Sequence, residues 1–153
     1  MNIEFAMRLA MEIAQHSSLN ADEVPVGAVI LNSIGDVVAT GTNERELHSD
    51  PSGHAEIVAM RKAAKSLENW RLDAHTLVVT LEPCAMCAGA ITQSRMAKLV
   101  FGAWDEKAGA VGSVWDILRD PRALNKVEVV SGVLAEECAQ MLGTFFQEKR
   151  KGN

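Results

Sequence analysis

Thr76-Leu77-Val78-Val79-Thr80-Leu81-Glu82-Pro83-Cys84-Ala85-Met86-Cys87 is the stretch on which the reading of the fold turns. Thr76 to Thr80 is β-branched and apolar, the pattern of a central strand. Pro83 ends that strand and opens a helix, where proline is tolerated in the first turn. Cys84 and Cys87 lie three apart, so on that turn they share a face. The helix N-terminus favours their thiolate forms, because its free N–H groups and dipole favour negative charge.

Working outward, the apolar pattern is helical from His54 to about Ser66, through Ile57, Val58, Ala64 and Leu67. Residues 2–18 read as an amphipathic helix, and 25–31 as a buried strand begun by Pro25 at its edge. Asn32-Ser33-Ile34-Gly35-Asp36 carries turn chemistry, so 37–42 is predicted to return as an antiparallel hairpin strand. Strands at 97–102 and 126–131 and a helix from about Ala135 to Lys149 complete the set. Strands alternating with helices after an initial hairpin predict a three-layer α/β/α sandwich with a mixed central sheet, residues 1–153 forming one domain.

Composition narrows the class. A 153-residue chain with 48% hydrophobic content is long enough for one proper core. Glu4, Arg8 and Glu12 interrupt the first helix, so it is not a signal peptide, and no run reaches the roughly 20 apolar residues of a membrane span. Three cysteines, two of them in one CxxC, do not make a disulfide framework, and the cytoplasm is the expected compartment. A net charge of −5 argues against a general nucleic-acid binder. It still permits a local basic face, for which Lys149-Arg150-Lys151, Arg119, Arg122 and Lys126 are candidates. A solvated surface and a frayed tail explain the same charges.

His54-Ala55-Glu56 and Pro83-Cys84-Ala85-Met86-Cys87 together offer a metal one imidazole and two thiolates, with a carboxylate left uncommitted. Zinc held by three protein ligands keeps a fourth position for water, the catalytic arrangement. Two thiolates cancel the charge of Zn²⁺, so a bound water needs a base, and Glu56 is the candidate. CxxC alone also suits a redox pair or a structural zinc knuckle. A knuckle requires a fourth ligand, and His16, His48, His75 and Cys138 stand isolated. Glu56 has its own plain reading as a first-turn carboxylate complementing a helix dipole.

Glu23-Val24-Pro25-Val26-Gly27-Ala28-Val29, Gly41-Thr42-Asn43, His54-Ala55-Glu56-Ile57, Thr80 to Ala90, Ser94-Arg95 and Phe101-Gly102-Ala103-Trp104-Asp105 resemble the bacterial tRNA-specific adenosine deaminases of the cytidine/deoxycytidylate deaminase superfamily. The likeness extends to Phe145-Phe146. Two positions depart from it: Asn125-Lys126-Val127 stands where members often carry Asn-His-Arg, and Gln93 where some carry His. The resemblance implies a cytidine deaminase-like fold and one zinc per chain on His54, Cys84 and Cys87. It implies hydrolytic conversion of the wobble adenosine of an arginine tRNA anticodon to inosine, with Glu56 moving the proton, and a homodimer. Substrate contacts then fall on Asn43, Ala55, Asp105, Lys107, Phe146 and Arg150. Without the resemblance, Asn43 reads as a turn residue and Phe145-Phe146 as core packing of the last helix. The zinc motif equally serves a deaminase of a free base or nucleoside such as guanine or cytosine. A catalytically silent RNA-binding partner is the reading from another class, and the intact Glu56 argues against it.

Overall fold

The computed structural model describes residues 2–152, without the side chains of residues 19–21. Its elements are α1 (Ile3–Ala21), β1 (Gly27–Leu31), β2 (Val37–Thr42), α2 (Ala55–Leu67), β3 (Thr76–Leu81), α3 (Ala85–Gln93), β4 (Lys98–Ala103), β5 (Glu128–Val130) and α4 (Ala135–Lys151). The strands form one mixed sheet in the order β2-β1-β3-β4-β5. β1 runs antiparallel to both β2 and β3, while β3, β4 and β5 run parallel.

Strand periodicity sorts the apolar side chains onto two faces. Ala28, Ile30, Leu77, Val79, Leu99 and Phe101 pack with Ala55, Ala59, Met60 and Ala63 of α2 and Ala88 and Ile91 of α3. Their neighbours Val29, Leu31, Val78 and Val100 pack with Ala6, Met7 and Ala10 of α1 and Cys138 of α4. A sheet covered on both faces needs strands without polar alternation, which is why β1, β3 and β4 read as continuous apolar runs. The three-layer α/β/α sandwich expected from the sequence is the fold found.

Boundaries shift where pairing decides them. Pairing in β1 begins at Gly27, two residues after Pro25. β1 is interior rather than an edge, and a proline cannot donate within its ladder. β5 shrinks from the expected 126–131 to Glu128–Val130, because it pairs only with Lys98 to Val100 at the sheet margin. Among the described residues no helix is long and apolar enough to cross a membrane.

Two placements matter for the site. α2 lies tightly on β2, because Gly41 has no Cβ: one there would overlap the Ala55 carbonyl and the Ala59 amide. β3 delivers its carboxyl end straight into α3 through Glu82-Pro83-Cys84. The N-termini of α2 and α3 thereby meet beyond the strand ends, where α/β sheets commonly bind ligands.

Candidate active site

His54 and Cys84 occupy equivalent positions, each the N-cap of its helix in extended backbone, and neither side chain caps its own helix. Both side chains are therefore available to each other. His54 Nδ1 lies 3.5 Å from Cys84 Sγ and 3.4 Å from Cys87 Sγ, and the three ligand atoms sit within 4.8 Å of one another. Zinc bonds of about 2.3 Å to sulfur and about 2.0–2.1 Å to nitrogen, at tetrahedral angles, place N and S about 3.5 Å apart. The donor set fits zinc in both chemistry and spacing. Glu56, one residue inside the start of α2, is 4% exposed and borders the same cavity. His54, as N-cap, stands outside the helix while Glu56 lies in its first turn, so the two serve one cavity without sharing a helical face.

The local electrostatics follow from crowding these groups. Cys84 is pulled down to about 4, first by its hydrogen bond with Cys87 and then by His54. Cys87 is pushed up by the same pairing and by burial, so the thiols share one proton. His54 is raised, chiefly through its hydrogen bond to Cys84. A bound dication reverses this logic and deprotonates both thiols. Burial pushes Glu56 up to about 7, against attraction from His54. A carboxyl balanced near neutrality can both take and return a proton, as a general acid–base group must.

A cavity of about 630 Å³ opens above these groups. Asn43, Ala55, Asp105, Lys107 and Phe146 all line it, together with His54, Glu56 and Cys84. Asn43 is 7% exposed, and its Oδ1 accepts from the Arg45 amide at 3.4 Å. Asp105 Oδ1 accepts from the amides of Lys107 at 3.1 Å and Ala108 at 3.2 Å, so it shapes the loop that carries both. Phe146 is 47% exposed, which removes the core-packing reading for it. Phe145 is the half-buried member of the pair, with its ring edge-on to Phe146 at 5.3 Å. Arg150 is exposed further along α4 and does not line the cavity.

Several pocket residues escape sequence reasoning. Arg45 stands at the rim, exposed, and Val24, Val26, Leu81 and Leu142 supply apolar wall. Two buried carboxylates hold the rim loops. Glu23 Oε1 accepts from the amides of Glu46 at 2.7 Å and Leu47 at 2.8 Å, fixing the segment between Asn43 and His54. Glu82, 2% exposed, accepts from the amides of Asp105, Val111 and Ser113. Both stand in stretches that carry the family resemblance, Glu23 two residues before Pro25 and Glu82 directly before Pro83, but nothing in the sequence marks what either holds. Some expected cations are spoken for: Arg119 pairs with Asp116 at 3.1 Å, Arg122 with Asp120 at 2.7 Å and Lys149 with Asp22 at 2.7 Å. The basic face is narrower than the sequence suggests.

Comparison with known proteins agrees with this geometry. A sequence model of the cytidine and deoxycytidylate deaminase zinc-binding region matches residues 1–103. The chain is 49% identical over 148 residues to a tRNA-specific adenosine deaminase of Haemophilus influenzae, covering 97% of this chain and 85% of that protein. It is 45% identical to the tRNA-specific adenosine deaminase of Bacillus subtilis, covering 97% and 91%. Among solved structures, a tRNA:A34 deaminase that performs A-to-I editing at the wobble position superposes with a TM-score of 0.85 at 39% identity, over 90% of this chain and 98% of the other. A guanine deaminase from Nitrosomonas europaea superposes with a TM-score of 0.78 at 26% identity, over 93% and 83%. By the family match and the near-full-length identity to its relatives, the chain belongs to the zinc-binding cytidine and deoxycytidylate deaminases, within their tRNA-specific adenosine deaminase branch.

Proposed function

We propose that this chain, acting as a single deaminase domain, hydrolyses the wobble adenosine of a tRNA anticodon to inosine and ammonia. The observation that carries the reading is one cavity with a buried carboxyl beside three zinc-type ligands and a solvent-facing Phe146 and Lys107 at its mouth. Such a mouth suits a base that arrives attached to a larger molecule. His54, Cys84 and Cys87 hold zinc in this reading, which supplies a water acidified enough to attack at neutral pH. Glu56 accepts one proton of the attacking water and delivers it to N1 of the adenine. It then takes the proton of the resulting C6 hydroxyl and passes it to the amine, which leaves as ammonia while the C6 carbonyl forms. The Cys84 backbone N–H, at the start of α3, stabilises charge developing on the attacking oxygen.

Asn43 and the Ala55 backbone position the base, and Asp105 and Lys107 meet the flanking nucleotides. Phe146 stacks on a splayed neighbour, as exposed aromatics do in single-stranded RNA recognition. Arg150 extends the contact to phosphate along α4. The finer assignments to an arginine tRNA and a homodimer rest on the family resemblance, and that to the cytoplasm on cysteine usage. Incubation with total tRNA of the source organism, with inosine read by sequencing, is expected to give inosine at one wobble position. Release of ammonia from free guanine or cytosine, with no inosine in tRNA, would replace this reading by a free-base deaminase.

A further inference from the structure

Glu82 sits between the metal motif and the substrate rim, bonded to one and adjoining the other. Its own amide donates to Ala103 O at 2.8 Å, continuing the β3–β4 pairing past the end of β3. Its carboxylate gathers both ends of the loop after β4. Oε1 accepts from the Asp105 amide at 3.0 Å, and Oε2 from the amides of Val111 at 3.0 Å and Ser113 at 3.1 Å. The Ser113 hydroxyl donates to Oε1 as well. A buried carboxylate without these donors would carry a large desolvation cost, so the loop and the charge stabilise each other.

The seat is fitted closely. Gly109 lies directly over the Glu82 carboxyl, where any Cβ would overlap it. The Ala110 amide donates to Pro83 O at 2.8 Å, and Gly109 forms a bridge with Cys84. The inner side of the loop is thus joined to the backbone that carries a zinc ligand. The first part of the same loop presents Trp104, Asp105, Glu106, Lys107 and Ala108 to the cavity. Asp105 completes the connection: its amide is held by Glu82, and its side chain holds the amides of Lys107 and Ala108.

We propose that Glu82 is a positioning residue for substrate recognition, fixing the 105–113 loop against the metal-ligand turn so that Asp105 and Lys107 face the RNA beside the target base. It touches neither substrate nor the reacting atoms. The proposal rests on the tRNA deaminase reading above for its substrate, but the clamp itself can be tested separately.

Zinc-loaded wild type, Glu82→Gln and Ser113→Ala are compared by amide hydrogen exchange and by steady-state deamination of an anticodon stem-loop. Glutamine keeps the shape but turns an acceptor into a donor facing N–H groups. Exchange at residues 105, 111 and 113 is expected to rise about tenfold or more in Glu82→Gln. KM for the stem-loop should rise on the order of tenfold while kcat changes less than about threefold, since displacement of a binding group by a fraction of an ångström suffices for losses of this size. Ser113→Ala removes one donor only and should move both readouts the same way by a smaller factor. Glu82→Asp, which keeps the charge, should recover part of the loss. A Glu82→Gln protein with lower thermal stability but unchanged exchange in the loop and unchanged KM per zinc-loaded molecule would overturn the proposal. A fall in kcat with KM unchanged would overturn it too. If Glu82→Gln does not fold, unchanged exchange and KM in Ser113→Ala overturn it instead. If wild type forms no inosine in the stem-loop, the tRNA reading fails, and the exchange data alone then decide whether Glu82 clamps the loop.

Discussion

Glu56 and Glu82 are 4% and 2% exposed and border the same cavity, yet burial pushes Glu56 up to about 7 while Glu82 is held below the usual carboxylate range. Burial raises both. For Glu82 it is outweighed by hydrogen bonds from Ser113, Asp105 and Val111. Glu56 lies among a histidine and two cysteines that compete for protons, and its charged form gains less. The difference teaches that burial alone does not say what a carboxyl is for. One held by several amide donors stays charged and organises backbone, whereas burial that outweighs its hydrogen bonds favours the protonated form. The cavity has a floor at the starts of α2 and α3, and a rim whose loops are held by carboxylates bonded to backbone amides.

The largest expected effect tests the floor. Glu56→Ala should retain zinc, fold and stem-loop affinity and lose on the order of 10²–10⁴-fold or more in kcat, the usual worth of a general acid–base group. Its loop exchange should match wild type, the opposite of Glu82→Gln. Near-normal turnover in this variant would erase the contrast between the two carboxyls.

Phe146→Ala should weaken stem-loop binding by about 1–3 kcal/mol, the range for loss of one base-stacking platform. Because Phe146 is half exposed, its melting temperature should fall far less than for truncation of a buried phenylalanine. A large loss of stability with affinity intact would return Phe146 to a packing role. Lys107→Ala and Arg150→Ala should each flatten the slope of log affinity against log salt by about one if each meets a phosphate. Lys107, at the cavity, is expected to show this with shorter RNA than Arg150 requires, and equal dependence on RNA length would remove that ordering.

Acidification gives the smallest effect. A carboxyl that ionises more readily in the folded chain stabilises it above its unfolded value, near 4.5 for Glu82, and loses that contribution as pH falls through the lower folded value. Amide exchange at 105–113, corrected for intrinsic rates, should therefore stay slow from neutrality to about pH 5 and speed up only below the ordinary carboxylate range. Acceleration already between pH 7 and 6 would mean that another group holds the loop.

Element order, the two-faced sheet and the candidate metal ligands were legible in the sequence because each rests on short-range patterning. The alternation from β1 to α4 is written in apolar periodicity. His54 and Cys84 are readable since a helix start places an N-cap side chain by local backbone geometry alone. Tertiary structure decided what the sequence left open. That Phe146 faces the cavity while Phe145 lies half-buried in the groove between α1 and α4 depends on how α4 is placed, not on the Phe-Phe pair. Arg119, Arg122 and Lys149 lose their claim to a broad basic face through neighbours visible only in three dimensions, Asp22 being far from Lys149 in sequence. Glu23, two residues before Pro25, and Glu82, next to Pro83, give no local sign of what they hold. Their partners are backbone amides more than twenty residues away, and a backbone amide carries no sequence signature. The candidate metal group was legible because it is made by side-chain type at fixed local spacing. The rim was not, because it is made by main-chain groups that meet only when the sheet brings distant loops together.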